Sequence, residues 1–190
     1  MEGGTALTAA GDDELLAAAA GGERRAWAEL YERYAPAVFR FCLARLGDRE
    51  AAADATQEAF AAVWTGAASY AAMGSVRAWI LGIARRKAGD QGRAARRRRP
   101  GPSLEEMEDS PALAAPDPAP AVEEAVDVWA ALARLPEAQQ ETVLLTYGLG
   151  LSCAEAGQAL GIPEGTVKSR LHAARAALLG GLAGTGGRRP

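Results

Sequence analysis

Apolar residues in the first half of the chain recur at steps of three and four, the period of helices with one buried face. Over residues 24–46 the stripe is Trp27, Leu30, Tyr31, Tyr34, Val38, Phe41, Cys42 and Leu46. Pro36 lies inside it and predicts a kink or a split, because proline has no amide hydrogen and crowds the preceding turn. Gly47 predicts the end of this helix, and Asp48 a cap for a second over 49–65. Small residues over 66–74 predict a loop. Ser75 then caps a third long helix that carries Val76, Trp79, Ile80 and Ile83. A short helix is expected within residues 1–22.

In the second half the pattern predicts helices near 122–134, 136–147, 153–160 and 164–180. Pro136 occupies a first-turn position that tolerates proline, and Ser152 with Glu155 has the spacing of a capping box. Between the halves, residues 100–121 hold six prolines, three of them alternating at Pro116, Pro118 and Pro120. Proline also disfavours helix at the residue before it, so this segment predicts an extended or flexible linker. The expected fold is all-α: two small helical domains, 23–99 and 122–182, joined by the 100–121 linker and not packed on each other. A flexible tail is expected over 183–190.

Composition supports this picture. Apolar residues make up 49% of the 190, much of it alanine, which favours closely packed helices. No run approaches the ~20 apolar residues of a membrane span. The early acids Asp12, Asp13 and Glu14 stand where a secretory signal would be basic and then apolar. Both features predict a cytoplasmic protein. Cys42 and Cys153 are far apart, and His172 is the sole histidine, so neither a zinc site nor a disulfide framework is expected. With no glycine-rich phosphate loop and no nucleophile–base pair, the chain is not expected to be an enzyme, and no cofactor is called for.

The net charge of −3 conceals a segregation. Residues 77–99 carry nine basic groups against one acid, Asp90. From Pro100 to Ala133 there is no basic residue, while eight acids lie between Glu105 and Asp127. The balance turns basic again at Lys168, Arg170, Arg175, Arg188 and Arg189. Two basic patches flanking an acidic stretch point to two contacts with a polyanion.

The sharpest local pattern is SCAEAGQALGIPEGTVKSRLHAARAAL, residues 152–178. A short helix ends at Leu160, Gly161 turns the chain, Ile162 plugs the interior and a second helix starts near Pro163. Val167, Leu171, Ala174 and Leu178 form its inward stripe, which turns Lys168, Ser169, His172 and Arg175 outward toward a major groove. Thr166 and the free amides of the first turn are suited to a phosphate.

Two blocks carry a resemblance. LPEAQQETVLLTYGLGLSCAEAGQALGIPEGTVKSRLHAAR resembles the promoter-binding C-terminal domain of extracytoplasmic-function sigma factors. AWAELYERYAPAVFRFCLARLGDREAAADATQEAFAAVW, followed by VRAWILGIARRKAGDQGR, resembles their polymerase-binding and promoter-melting domain. The resemblance spans 23–99 and 122–180 in the family's order and implies an alternative sigma factor, with core RNA polymerase and promoter DNA as partners and commonly an anti-sigma factor as a third.

It implies that Asp54, Gln57 and Glu58 dock on the clamp helices of the largest catalytic polymerase subunit. The like charges of Asp54 and Glu58, four residues apart, mildly destabilise an isolated helix and suit a basic partner. It further implies that Arg77, Arg85, Arg86, Lys87 and Arg93 hold the opened minus-ten region, with Tyr70 a stacking platform in a pocket shaped by 66–76. Trp79 is expected to pack in the core, and Arg96–Arg99 to touch phosphate loosely or lie in solvent. Thr166, Lys168, Ser169, His172 and Arg175 are expected at the minus-thirty-five element.

Three positions depart from the family pattern: Arg86 where asparagine is frequent, Ala173 where arginine is common, and Ala156-Gly157 where isoleucine-alanine is usual. A helical glycine costs about 1 kcal/mol against alanine, which predicts a marginal second domain. The competing assignment is a stand-alone helix-turn-helix transcriptional regulator, which leaves the acidic ridge and the arginine-rich third helix without a purpose.

Overall fold

A computed structural model describes residues 10–70, 74–98 and 131–185. The first domain contains α1 (Asp12–Ala20), α2 (Arg24–Leu46), α3 (Arg49–Gly66), a short 3₁₀ turn at Ala67–Ser69, and α4 (Val76–Arg98). The second contains α5 (Glu137–Val143), prolonged by a π-helical turn at Leu144–Gly148, then α6 (Cys153–Leu160) and α7 (Glu164–Thr185). Residues 131–133 are helical; the rest of the helix expected over 122–134, the 100–121 linker and the tail from 186 lie outside the described residues.

Local signals act as expected. Gly47 adopts a left-handed conformation, φ 68°, and closes α2 through its amide to the Leu43 carbonyl. The Asp48 side chain accepts from the Ala51 amide at 2.7 Å. Ser75 Oγ accepts from the Ala78 amide at 3.3 Å, and Ser152 with Glu155 forms the reciprocal capping box of α6. Of the kink or split expected at Pro36, the split does not occur: α2 runs unbroken from Arg24 to Leu46. Pro36 and Glu32 are exposed, so the lost hydrogen bond falls on the solvent side, while buried Leu30, Tyr34, Val38 and Phe41 clamp both halves to the core.

Leu30, Val38 and Phe41 of α2, Phe60 and Val63 of α3, and Val76, Ile80 and Leu81 of α4 are buried together in the first core. Each such side chain contributes roughly 1.5–3 kcal/mol. α1 closes one end by burying Leu15 and Leu16, and its Asp12 accepts from Arg33 at 2.6 Å and from the Tyr34 hydroxyl. Burial, and then this carboxylate, pushes the Tyr34 hydroxyl far above the usual range. Cys42 lies in the same core, where burial raises its thiol to about 11.

The second domain is held by Leu145, Leu151, Ala156, Leu160, Val167 and Ala174. It does not stand apart. α6 lies along α4, and at their crossing a Cβ added at buried Gly82 would meet the Ala159 carbonyl oxygen at 3.2 Å. The expectation of two domains not packed on each other is therefore corrected: small residues on both helices let the backbones approach.

Gly157 also reads differently in three dimensions. A Cβ there would come within 2.8 Å of the Ile162 carbonyl oxygen, because the turn folds back over α6 and the Ile162 amide bonds the Gly157 carbonyl. In this chain the turn leaves no room for a Cβ at 157 unless the backbone shifts, which works against what helix propensity would return. Gly157→Ala should lower the melting temperature, since strain of about 1–3 kcal/mol outweighs the ~1 kcal/mol that propensity returns. A stabilised variant in thermal unfolding followed by circular dichroism would remove this account.

Candidate nucleic-acid interface

On α3, Asp54, Gln57 and Glu58 are exposed on one face. Glu58 is not a bare charge: Lys87 Nζ lies 3.7 Å from its carboxylate. Seven residues beyond Gln57, and so on the same stripe, Trp64 is 43% exposed; Tyr31 of α2 is 41% exposed. Trp27 joins them, with ring centroids 4.9 Å from Trp64 and 6.0 Å from Phe60, and Tyr31 sits 4.6 Å from Phe60. The acidic ridge thus runs into a partly exposed aromatic patch, of which Trp27 and Tyr31 were expected on the inward stripe of α2.

The basic residues of α4 divide by partner. Arg86 is exposed, and Arg93, also exposed, pairs with Asp90 at 2.5 Å. Arg77 and Arg85 instead face the second domain. The Arg77 guanidinium donates to the Leu149 carbonyl and, at 3.4 Å, to that of Gly150. Arg85 Nε donates to Glu141 at 3.0 Å. Tyr70 is half-buried, its ring 5.0 Å from Trp79 and its hydroxyl donating to the Gly74 carbonyl at 2.9 Å. Trp79 packs over Gly66 on its other side, as expected of a core residue.

On α7, Val167 and Ala174 are buried and Leu171 and Leu178 partly so, leaving Lys168, Ser169, His172 and Arg175 exposed on one face. Lys168 reaches back to Glu164 at 2.7 Å, and Ser169 Oγ donates to the Thr166 carbonyl. Helix, left-handed Gly161 turn and helix reproduce the arrangement that presents a second helix to a groove.

Residues absent from the sequence-based expectation build the contact between domains. The Gln158 amide pairs with both backbone groups of Ser75, at 2.9 and 3.2 Å, and Ser75 Oγ donates to Glu155 at 2.8 Å. Glu141 is buried between Arg85 and Arg45, the latter 3.5 Å away and also paired with Glu137. One signal was present: Glu141 falls on the inward stripe with Leu144 and Leu145, where an acid demands a partner.

A two-domain helical chain that exposes a helix-turn-helix face belongs by architecture to the DNA-binding proteins. Residues 30–98 match the model of Sigma-70 region 2, and 125–178 that of Sigma-70 region 4. The ECF RNA polymerase sigma factor SigM of Mycobacterium tuberculosis is 38% identical over 169 residues, 88% of this chain and 82% of that one. SigC of the same species is 37% identical over 177 residues, covering 90% and 92%. Among solved structures, CnrH in complex with the cytosolic domain of CnrY matches with a TM-score of 0.68 at 26% identity, covering 91% of this chain and 97% of that one. The sigma factor RpoE in complex with the anti-sigma factor NepR from Bartonella quintana shares the fold, with a TM-score of 0.64 at 24% identity, covering 82% and 95%. This chain belongs to the extracytoplasmic-function sigma factors of RNA polymerase.

Glu155 links the helix-turn-helix to the first domain and sets an acid limit. Its carboxyl is held below the usual range first by the Ser152 amide, then by the Ser75 and Ser152 hydroxyls and the Arg77 charge, against the opposing effect of burial. A depressed folded value means the contribution is fully present above the ordinary value of 4.5 and fades as pH falls through the folded value. The melting temperature should therefore drop on acidification below about 4.5, less steeply in Glu155→Gln. Identical pH profiles for the two proteins would contradict this role.

Proposed function

We propose that the protein docks on core RNA polymerase through the α3 ridge, reads promoter duplex with α7 and favours strand opening with α4. The observation that carries the reading is that region 2 and region 4 matches occur in one chain, in family order, on domains that each expose a distinct charged face. The chain is an alternative sigma factor; it directs transcription initiation, and the bond-making chemistry belongs to the polymerase. Domain boundaries at 23–99 and 122–182 enclose both matched segments. No described helix is long and apolar enough to cross a membrane, which supports a cytoplasmic site of action.

Asp54, Gln57 and Glu58 supply the polymerase contact, and the adjacent Trp64 gives it an apolar end. Both solved structures described above hold a second protein, named an anti-sigma factor in one, which supports a similar partner here. The alternative of a stand-alone regulator is not favoured, because it gives the α3 ridge nothing to bind. Asp54→Lys with Glu58→Lys should abolish copurification with core polymerase while helix content stays intact. Retained copurification would return the stand-alone regulator.

The two DNA contacts should separate by mutation. Lys168→Ala and His172→Ala should weaken promoter recruitment by roughly 1–3 kcal/mol per lost base-edge contact, and a promoter without a minus-thirty-five element should lose most of that sensitivity. Arg85→Ala with Arg86→Ala should leave closed-complex binding less affected and reduce permanganate-reactive thymines, because single strands are held by charge and stacking and not by edge reading. Parallel loss of binding and melting in both sets, on every template, would rule out the division of labour.

A further inference from the structure

The first turn of α1 lies beside Tyr70, and the function proposed above leaves it without a role. α1 packs along α2 and against the 3₁₀ turn that leads into Tyr70. Its N-terminal end is pinned by Asp12, which accepts from Arg33 at 2.6 Å and from the hydroxyl of buried Tyr34. Arg33 also donates to the Ala10 carbonyl at 3.4 Å. The neighbouring carboxylate is not used in this way: Asp13 is exposed and, among the described residues, has no hydrogen-bond or ion-pair partner. Its charge reaches Tyr70, whose hydroxyl is raised first by burial, then by Asp13 and after it by Asp12. The Tyr70 ring rests on Trp79, with centroids 5.0 Å apart, and its hydroxyl is engaged by the Gly74 carbonyl at 2.9 Å. The free acceptor next to the stacking ring is therefore Asp13.

We propose that Asp13 selects the unstacked base held at Tyr70, accepting a hydrogen bond from a base that carries an exocyclic amino group and disfavouring thymine. The proposal rests on the assignment of Tyr70 to the opened strand. Its physical basis is hydrogen-bond polarity. An ionised carboxylate only accepts. Cytosine and adenine offer it an amino group, whereas thymine presents the carbonyl oxygen O4 in the equivalent place. The remaining edge donor of thymine, N3–H, lies between two carbonyl oxygens that a carboxylate repels. Stacking alone tolerates every base, so a ring whose hydroxyl is already engaged supplies affinity without choice. Asp12 cannot supply the choice either, because Arg33 and Tyr34 occupy its two oxygens. What Asp12 does is fix the first turn of α1, which keeps Asp13 beside the ring. A carboxylate also repels phosphate, but that effect weakens every strand alike and is separable from selection by base edge.

The test uses the full chain and fluorescence anisotropy at neutral pH. The probes are two labelled oligodeoxynucleotides of about a dozen nucleotides, one all cytidylate and one all thymidylate. The parent should bind the cytidylate several-fold more tightly. Asp13→Ala and Asp13→Asn should each remove that preference, the second because an amide both donates and accepts. Asp13→Glu should keep part of it, and Tyr70→Ala should weaken both probes together. Asp13 is exposed, and circular dichroism checks that each variant keeps the helix content of the parent. Equal binding of the two probes by the parent, or a preference that survives Asp13→Ala, overturns selection by Asp13. So does a gain of the same factor on both probes in Asp13→Ala, which would make the carboxylate a repelling charge and nothing more. A Tyr70→Ala protein with the affinity of the parent instead removes the assignment of Tyr70 to the opened strand. The two failures are told apart because the first concerns the ratio between the probes and the second the affinity for both.

Discussion

The crossing of α4 and α6 is the constraint on which the arrangement of this molecule depends. Two helices approach backbone to backbone only where side chains are small, and Gly82 opposite Ala159 provides that gap. Once it is closed, Glu141 is carried into a buried position against Arg45 and Arg85. A buried carboxylate is tolerable only when paired, and breaking such a pair from one side costs about 3–5 kcal/mol. The half-exposed Arg85 brings the figure here toward the lower end. The small-residue crossing sets the distance, and the ion pairs add a register to it.

This contact changes the meaning of the basic helix. A run of cations along α4 suggests one continuous polyanion surface, yet the fold divides it three ways. Arg77 and Arg85 turn to the second domain, Lys87 to Glu58 of the acidic ridge, and Arg86 and Arg93 to solvent. The acidic ridge is likewise part of a larger surface, because Trp64 and Tyr31 extend it with exposed aromatic area. An amphipathic face of that kind fits a protein partner better than a nucleic acid. Among the described residues, the charged face of α7 makes no ion pair with the first domain, and its inward stripe is satisfied within its own domain.

Much of this was legible in the sequence because it is local. Helix periods, the Gly47 and Gly161 turns, the Asp48 cap and the Ser152–Glu155 box depend on residues within one or two turns of each other, and they determined the elements and the outward face of α7. The family's two blocks determined the class of protein. Inferences from local cost alone were incomplete. Pro36 was expected to kink or split a helix that long-range burial keeps unbroken, and Gly157 was weighed by propensity alone where the turn folds back over the missing Cβ.

The tertiary structure alone decided which charges meet. Glu141 and Arg85 are 56 residues apart in sequence, Gln158 and Ser75 83 apart, and between them lies a proline-rich segment with no periodic pattern. Nothing in either local stretch encodes the other's position. The sequence determined two sets of helices and the charged positions proposed above to hold polymerase and DNA. Only the packing of α6 on α4 decided that two of those residues are engaged by the protein itself, because an ion pair is a property of distance in space, and that distance is set by where two small side chains let helices cross.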